Sequence, residues 1–133
     1  MSITIRLADD ARCPCLSGDT YGACCGRYHS GAAQAPTAEA LMRSRYSAFA
    51  EGDTGYLLRT WHPSTRPRTL ELDDNQRWLR LDILGRSGGG LLESEGTVEF
   101  VAYYRYGRER KSLREHSRFV REGGKWFYLD ALD

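Results

Sequence analysis

All four cysteines of the chain fall between residues 13 and 25, inside "RCPCLSGDTYGACCGRYH" (12–29). Thiols that close together constrain the fold, because they must be bridged, paired for redox work or gathered around a metal. Two disulfides need an oxidising compartment, and the opening "MSITIRLADD" lacks the basic start and apolar block of a secretory leader. A bridge between the neighbours Cys24 and Cys25 would also be strained. A redox pair would read C-x-x-C at the start of a helix, whereas this chain has C-x-C with Pro14 between the thiols. A metal suits the pattern better. Cys13-x-Cys15, eight residues and then Cys24-Cys25 offer four soft ligands that converge tetrahedrally once the chain turns back. Ser17-Gly18-Asp19 supplies the reversal, and Pro14 lowers the entropy lost on coordination. Zinc is the expected ion, since four thiolates suit it and so small a knuckle needs a staple. His29, four residues beyond Cys25, stays open as a replacement for one cysteine, and a cysteine-rich core without metal is the third reading.

The length bounds how much more the chain can hold. With 133 residues, 41% hydrophobic and 28% charged, it has room for one ordinary globular domain and a small appendage. No apolar run reaches the length of a membrane span, so no membrane association is expected and the expected address is the cytoplasm. The formal net charge of +1 creates no global field for nucleic acid. Arg105 to Arg121 is locally basic, and a solvated hairpin face explains it better than a nucleic-acid site. Arginine outnumbers lysine 17 to 2, which base composition or selection for forked guanidinium groups would produce.

Beyond a small-residue linker at Ser30–Ala35, "PTAEALMRSRYSAFAEGD" predicts a helix with Thr37 as N-cap and Gly52 as stop. Met42, Tyr46 and Phe49 form its apolar stripe, and the four-residue steps Leu41, Arg45, Phe49 put Arg45 on or beside that stripe. Asp53 caps a second helix expected to run through "GYLLRTWH" until Pro63. The rest reads as β: "RWLRLDIL" (77–84), "GTVEFVAYYRY" (96–106), and a hairpin over 113–132 turning at Gly123-Gly124. The glycine-rich "RSGGGLLES" lacks the lysine and spacing of a phosphate loop and is expected to be a flexible connection. Two helices followed by a mostly antiparallel sheet make an α+β domain.

The cysteine segment resembles the SEC-C motif, the zinc module also found at the C-terminus of the SecA translocase. The resemblance implies Cys13, Cys15, Cys24 and Cys25 as zinc ligands. Leu16 stands where that motif commonly has glycine, so the turn should be slightly weakened. The order of elements resembles the nuclear transport factor 2-like fold, a curved sheet wrapped on helices around a conical cavity. With "LMRSRYSAF", "TWHPSTRP", "EHSRF" and "WFYLD", the chain resembles the YchJ family of uncharacterised bacterial proteins. What this implies is architecture: a zinc module over residues 1–31 and a cone over 32–133, with no assigned reaction.

Such a cone draws its pocket from helices and concave sheet. The candidates are Arg45, Tyr46, Trp61 and His62 from the helices and Glu99, Tyr103, Glu115, Ser117, Tyr128 and Asp130 from the strands. A buried arginine needs an acceptor. Arg45 is therefore expected either to pair with Glu99, Glu115 or Asp130, or to await an anionic ligand. His62 is expected to anchor the turn before Pro63, with proton transfer as its other role. Two functions suit such a chain. One is a binding or adaptor protein, whose zinc module docks a protein partner, as the SecA module does with its chaperone, and whose cone holds a small molecule or peptide. The other is a small-molecule enzyme of the isomerase, dehydratase or cyclase type. No acid–base pair can be read from spacing, which leaves any catalytic residue unnamed and favours the binding protein.

Overall fold

Helix α2 (Ala38–Glu51) begins and ends where its sequence dictates. In the computed structural model, which describes residues 7–132, Thr37 Oγ1 accepts from the Ala40 amide at 3.0 Å, and Gly52 closes the helix at φ 75°. Residues 1–6 of the N-terminal segment on which the expectation about a leader rests lie outside those residues. Ahead of α2 comes the short α1 (Cys25–His29). Behind it, Asp53 caps α3 (Thr54–Arg59) by accepting from the Tyr56 amide at 3.0 Å.

Helix α3 is shorter than its sequence suggests, and the reason is a competing partner. Trp61 leaves the helix to form a parallel bridge with Tyr128. The Tyr128 amide donates to the Thr60 carbonyl and the His62 amide to the Tyr128 carbonyl, each at 2.8 Å. The strand replaces hydrogen bonds that the next helical turn would have made, without requiring Pro63 to donate an amide it lacks.

Four strands, β1 (Gln76–Gly88), β2 (Glu95–Tyr106), β3 (Glu109–Glu122) and β4 (Lys125–Ala131), pair antiparallel in sequence order. Gly123 and Gly124, at φ 59° and 78°, make the two-residue β3–β4 turn, a conformation that disfavours side chains with a Cβ. The glycine-rich segment is partly β1 itself. The Gly89 carbonyl accepts from the Ala38 amide at 3.0 Å, and a Cβ on Gly89 would meet Ala38 Cβ at 2.7 Å. The segment thus packs tightly on the start of α2.

Alternation along the strands sends Val98, Phe100 and Ala102 of β2 and Phe119 of β3 inward onto Leu41, Met42, Tyr46 and Leu57. Pairing shifts between Trp78 and Arg80, between Ile83 and Gly85, and between Arg118 and Phe119 add to the curl of the sheet around α2. The result is an α+β cone. Cys13, Cys15, Tyr21, Cys25 and Tyr28 join the same buried cluster as Leu41, Ala48 and Tyr56. Among the described residues no helix is long and apolar enough to cross a membrane.

Candidate functional site

The knuckle is built by a reversal. Arg12 and Thr20 form an antiparallel bridge, the Cys13 amide donates to the Asp19 carbonyl and the Leu16 amide to the Cys13 carbonyl. Leu16 sits at φ 60°, the one non-glycine residue described with positive φ, which explains why a glycine serves well there. This fold brings Cys13, Cys15, Cys24 and Cys25 together, their Sγ atoms all within 4.8 Å of one another. Cys15 and Cys24 sulfurs are 3.6 Å apart, and Cys24 and Cys25 sulfurs 3.9 Å. A zinc–sulfur bond of about 2.3 Å places tetrahedral sulfurs about 3.8 Å apart, so the four residues fit a four-coordinate ion.

The electrostatics agree. The Cys15 and Cys25 thiols donate toward Cys13 and hold its pKa far below the ordinary thiol value. With that charge in place, hydrogen bonding to Cys13 and burial push Cys15 up to about 11 and Cys25 higher still. Cys13, Cys15 and Cys25 together accept one negative charge and resist the rest, a resistance a divalent cation would remove. Hydroxyls surround the sulfurs: Ser17 Oγ lies 3.1 Å from Cys24 Sγ, and Ser47 Oγ of α2 lies 3.7 Å from Cys13 Sγ. Arg43 Nη1 donates to the Cys15 carbonyl at 3.1 Å. Sequence reading misses Ser47 and Arg43. Their signal lies in the polar steps Arg43, Ser47, Glu51, which run opposite the Met42, Tyr46, Phe49 stripe and must meet a second partner.

His29 stands outside the sulfur cluster. Its Nε2 lies 2.8 Å from the Ser44 carbonyl, which can only accept, so Nε2 carries a proton. Nδ1 lies 2.6 Å from the Tyr21 hydroxyl and 3.0 Å from Glu51 Oε2, which has no aligned hydrogen bond among the described residues. Burial would lower the imidazole pKa, but Glu51, the Ser44 carbonyl and Asp53 outweigh it and raise it. With both nitrogens so engaged, His29 acts as a tie between knuckle and α2. A further tie is Arg59 Nη2, which donates to the His29 carbonyl at 2.7 Å.

On the other face of α2 opens a cavity of about 290 Å³ lined by Met42, Arg45, Tyr46, Phe49, Trp61, Gln76, Trp78, Phe100, Ala102, Leu113, Glu115, Ser117 and Tyr128. Six of the ten candidates meet there: Arg45, Tyr46, Trp61, Glu115, Ser117 and Tyr128. Four do not. Glu99 and Tyr103 share the convex face of β2, where Glu99 takes Arg114 Nη2 at 2.9 Å and Tyr103 lies under the Arg80 guanidinium at 4.4 Å. Asp130 would follow Trp126 and Tyr128 inward by alternation. The irregularity that pairs Phe119 with Tyr128 but Arg118 with Asp130 turns it outward, into a paired contact with Arg118 at 2.7 Å. His62, drawn off α3 by β4, binds Ser64 and Glu122 instead, which is the anchoring role.

Arg45 is 3% exposed, and the expected ion pair is absent: among the described residues no carboxylate lies within 4.0 Å of it. Nη1 donates to the Leu57 carbonyl at 2.8 Å and to Thr60 Oγ1 at 2.7 Å. The guanidinium carbon lies 5.2 Å from the Trp61 ring and 4.8 Å from the Tyr128 ring. Burial depresses its pKa to about 10, so it remains charged at neutral pH. Glu115 accepts from the Ser117 and Tyr128 hydroxyls.

Residues 37–131 match the family model described as the middle NTF2-like domain of YchJ, and residues 11–27 match the SEC-C motif. A UPF0225 protein of Streptomyces coelicolor is 56% identical over 119 residues, 90% of this chain and 93% of that protein. One of Corynebacterium efficiens is 53% identical over 119 residues, 90% of this chain and 91% of that one. The solution structure of a SEC-C motif containing protein from Rhodopseudomonas palustris superposes with a TM-score of 0.79 at 37% identity, covering 90% of this chain and 95% of that one. A crystal structure of a SEC-C motif containing protein from Psychrobacter arcticus gives 0.75 at 28% identity, covering 93% and 84%.

Proposed function

The chain belongs to the YchJ (UPF0225) family, and we propose that it is a cytoplasmic zinc-binding adaptor whose cone holds a small molecule or peptide. Cys13, Cys15, Cys24 and Cys25 would hold the zinc, which would supply structural cross-linking there. The exposed turn at 16–20 is the surface on which the knuckle docks a protein partner. The observation that carries the reading is the double use of α2: Ser47 touches the sulfur cluster, while Arg45, Tyr46 and Phe49 wall an open, mostly apolar cavity.

The second reading, a small-molecule enzyme, is favoured by Glu115, a carboxylate inside that cavity under two hydroxyls. Against it, His62, the histidine considered for proton transfer, is engaged elsewhere. A native mass spectrum of freshly purified protein tests the proposal. The adaptor reading expects one zinc per chain and, where a compound is retained, a mass that stays constant on incubation. Conversion of the retained compound to a new mass would establish the enzyme, and a metal-free chain would remove the zinc module.

A further inference from the structure

We propose that the cone takes a small organic monoacid, with its carboxylate at Arg45 and a flat apolar body against Tyr46, Trp78 and Phe100. This rests on the reading that the cone holds a small molecule, and adds the class of that molecule. A guanidinium offers five N–H donors and cannot discharge at neutral pH, yet in Arg45 Nη1 alone is engaged, with Leu57 and Thr60. Nε and Nη2 have no acceptor among the described residues. Those two nitrogens form the side-on fork that matches the two oxygens of a carboxylate. Trp61, in the same wall, adds a buried Nε1 donor that also has no acceptor among the described residues.

The charge of the cavity sets the valence of the ligand. Arg45 and Glu115 are the charged residues of its lining, one of each sign. Glu115 is held by Ser117 and Tyr128 and does not reach Arg45. A dianion such as a phosphate monoester would need a second cation that the lining lacks, and would face Glu115 across a low-dielectric space. A monoanion needs only the open fork. Apart from the amide of Gln76, the remaining walls are apolar or aromatic: Met42, Phe49, Ala102 and Leu113 besides the three rings named. Trp78 meets Tyr46 edge-on, ring centroids 5.9 Å apart, and lies tilted against Tyr104 at 5.3 Å, contacts that hold the indole in place as a surface for a planar body.

The test titrates full-length, zinc-loaded protein with 2-naphthoate, 2-naphthylmethanol and 2-naphthylmethylamine, read by tryptophan fluorescence and calorimetry. The acid should bind about tenfold to a hundredfold tighter than the alcohol, the worth of a hydrogen-bonded charge. Arg45→Met should erase that preference, bringing the acid's affinity down to the alcohol's or below, and Glu115→Gln should strengthen the acid further. If Arg45→Met does not fold, the wild-type preference and the Glu115→Gln gain decide the matter. Equal binding of acid and alcohol overturns the monoacid while sparing the cone as a binding site. Preference for the amine overturns it in favour of Glu115. Binding of none of the three removes both the monoacid and the small-molecule reading.

Discussion

Replacing His29 by alanine separates a ligand from a tie. The side chain and that of its partner Glu51 are each 6% exposed. The substitution deletes the contacts to the Ser44 carbonyl and the Tyr21 hydroxyl, at about 1 kcal/mol each. It also strands Glu51 in the interior beside an unfilled space, a kind of loss that costs about 3–5 kcal/mol when one member of a buried pair is removed. A total loss of about 5–7 kcal/mol is therefore expected in urea unfolding at pH 6, with zinc content unchanged at one per chain. The pH dependence carries a sign. His29's folded pKa is raised above 6.5, so its contribution is complete below 6.5 and fades as pH rises through the folded value. The difference between wild type and H29A should accordingly shrink from pH 6 toward pH 9. Comparing the two proteins cancels the steep gain that both draw from thiolate coordination. Loss of zinc with little change in the unfolding of the metal-free form would refute the reasoning and return His29 to the ligand set.

Three further outcomes are expected. Arg45→Met should change stability by less than about 2 kcal/mol: the depressed pKa marks a charged form disfavoured by about 3 kcal/mol, which roughly offsets the lost hydrogen bonds and ring contacts, whereas a broken buried ion pair would cost about 3–5 kcal/mol. Thermal and urea melts distinguish the two. Deleting residues 1–31 should leave a chain without a cooperative melt, because Leu41, Ala48 and Tyr56 would lose the cysteine and tyrosine side chains packed on them; a sharp transition would show that the cone stands alone. Leu16→Gly should raise stability by about 0.5–1 kcal/mol, as relief of the left-handed strain exceeds the added chain entropy; a loss would mean that the half-exposed leucine packs more than its position suggests.

The helix caps, the sulfur cluster and the β3–β4 turn are legible in the sequence because each is a local rule: Thr37, Gly52, Asp53 and the glycine pair act within a few residues of themselves. Strand faces are legible only while alternation holds. Asp130 escapes the rule because one pairing irregularity resets the alternation, and no residue in "WFYLDAL" announces it. Glu99 alternates with Val101 and Tyr103, but nothing in that pattern tells which face of β2 is concave. His62 departs from its helical position because β4, far along the chain at Tyr128, outcompetes the last turn of α3. Arg45 does point inward as its four-residue steps require, but its acid partner rests on a presumption that charge must pair with charge. The protein instead gives Arg45 Nη1 a carbonyl and a hydroxyl and packs the guanidinium against two aromatic rings, with Nε and Nη2 left over among the described residues.

Zinc K-edge X-ray absorption on the purified full-length protein tests the centre most directly. The account predicts one zinc per chain with four sulfur neighbours at about 2.3 Å and no nitrogen shell. A nitrogen at about 2.0–2.1 Å, or iron in place of zinc, would contradict the assignment of Cys13, Cys15, Cys24 and Cys25 as the complete ligand set.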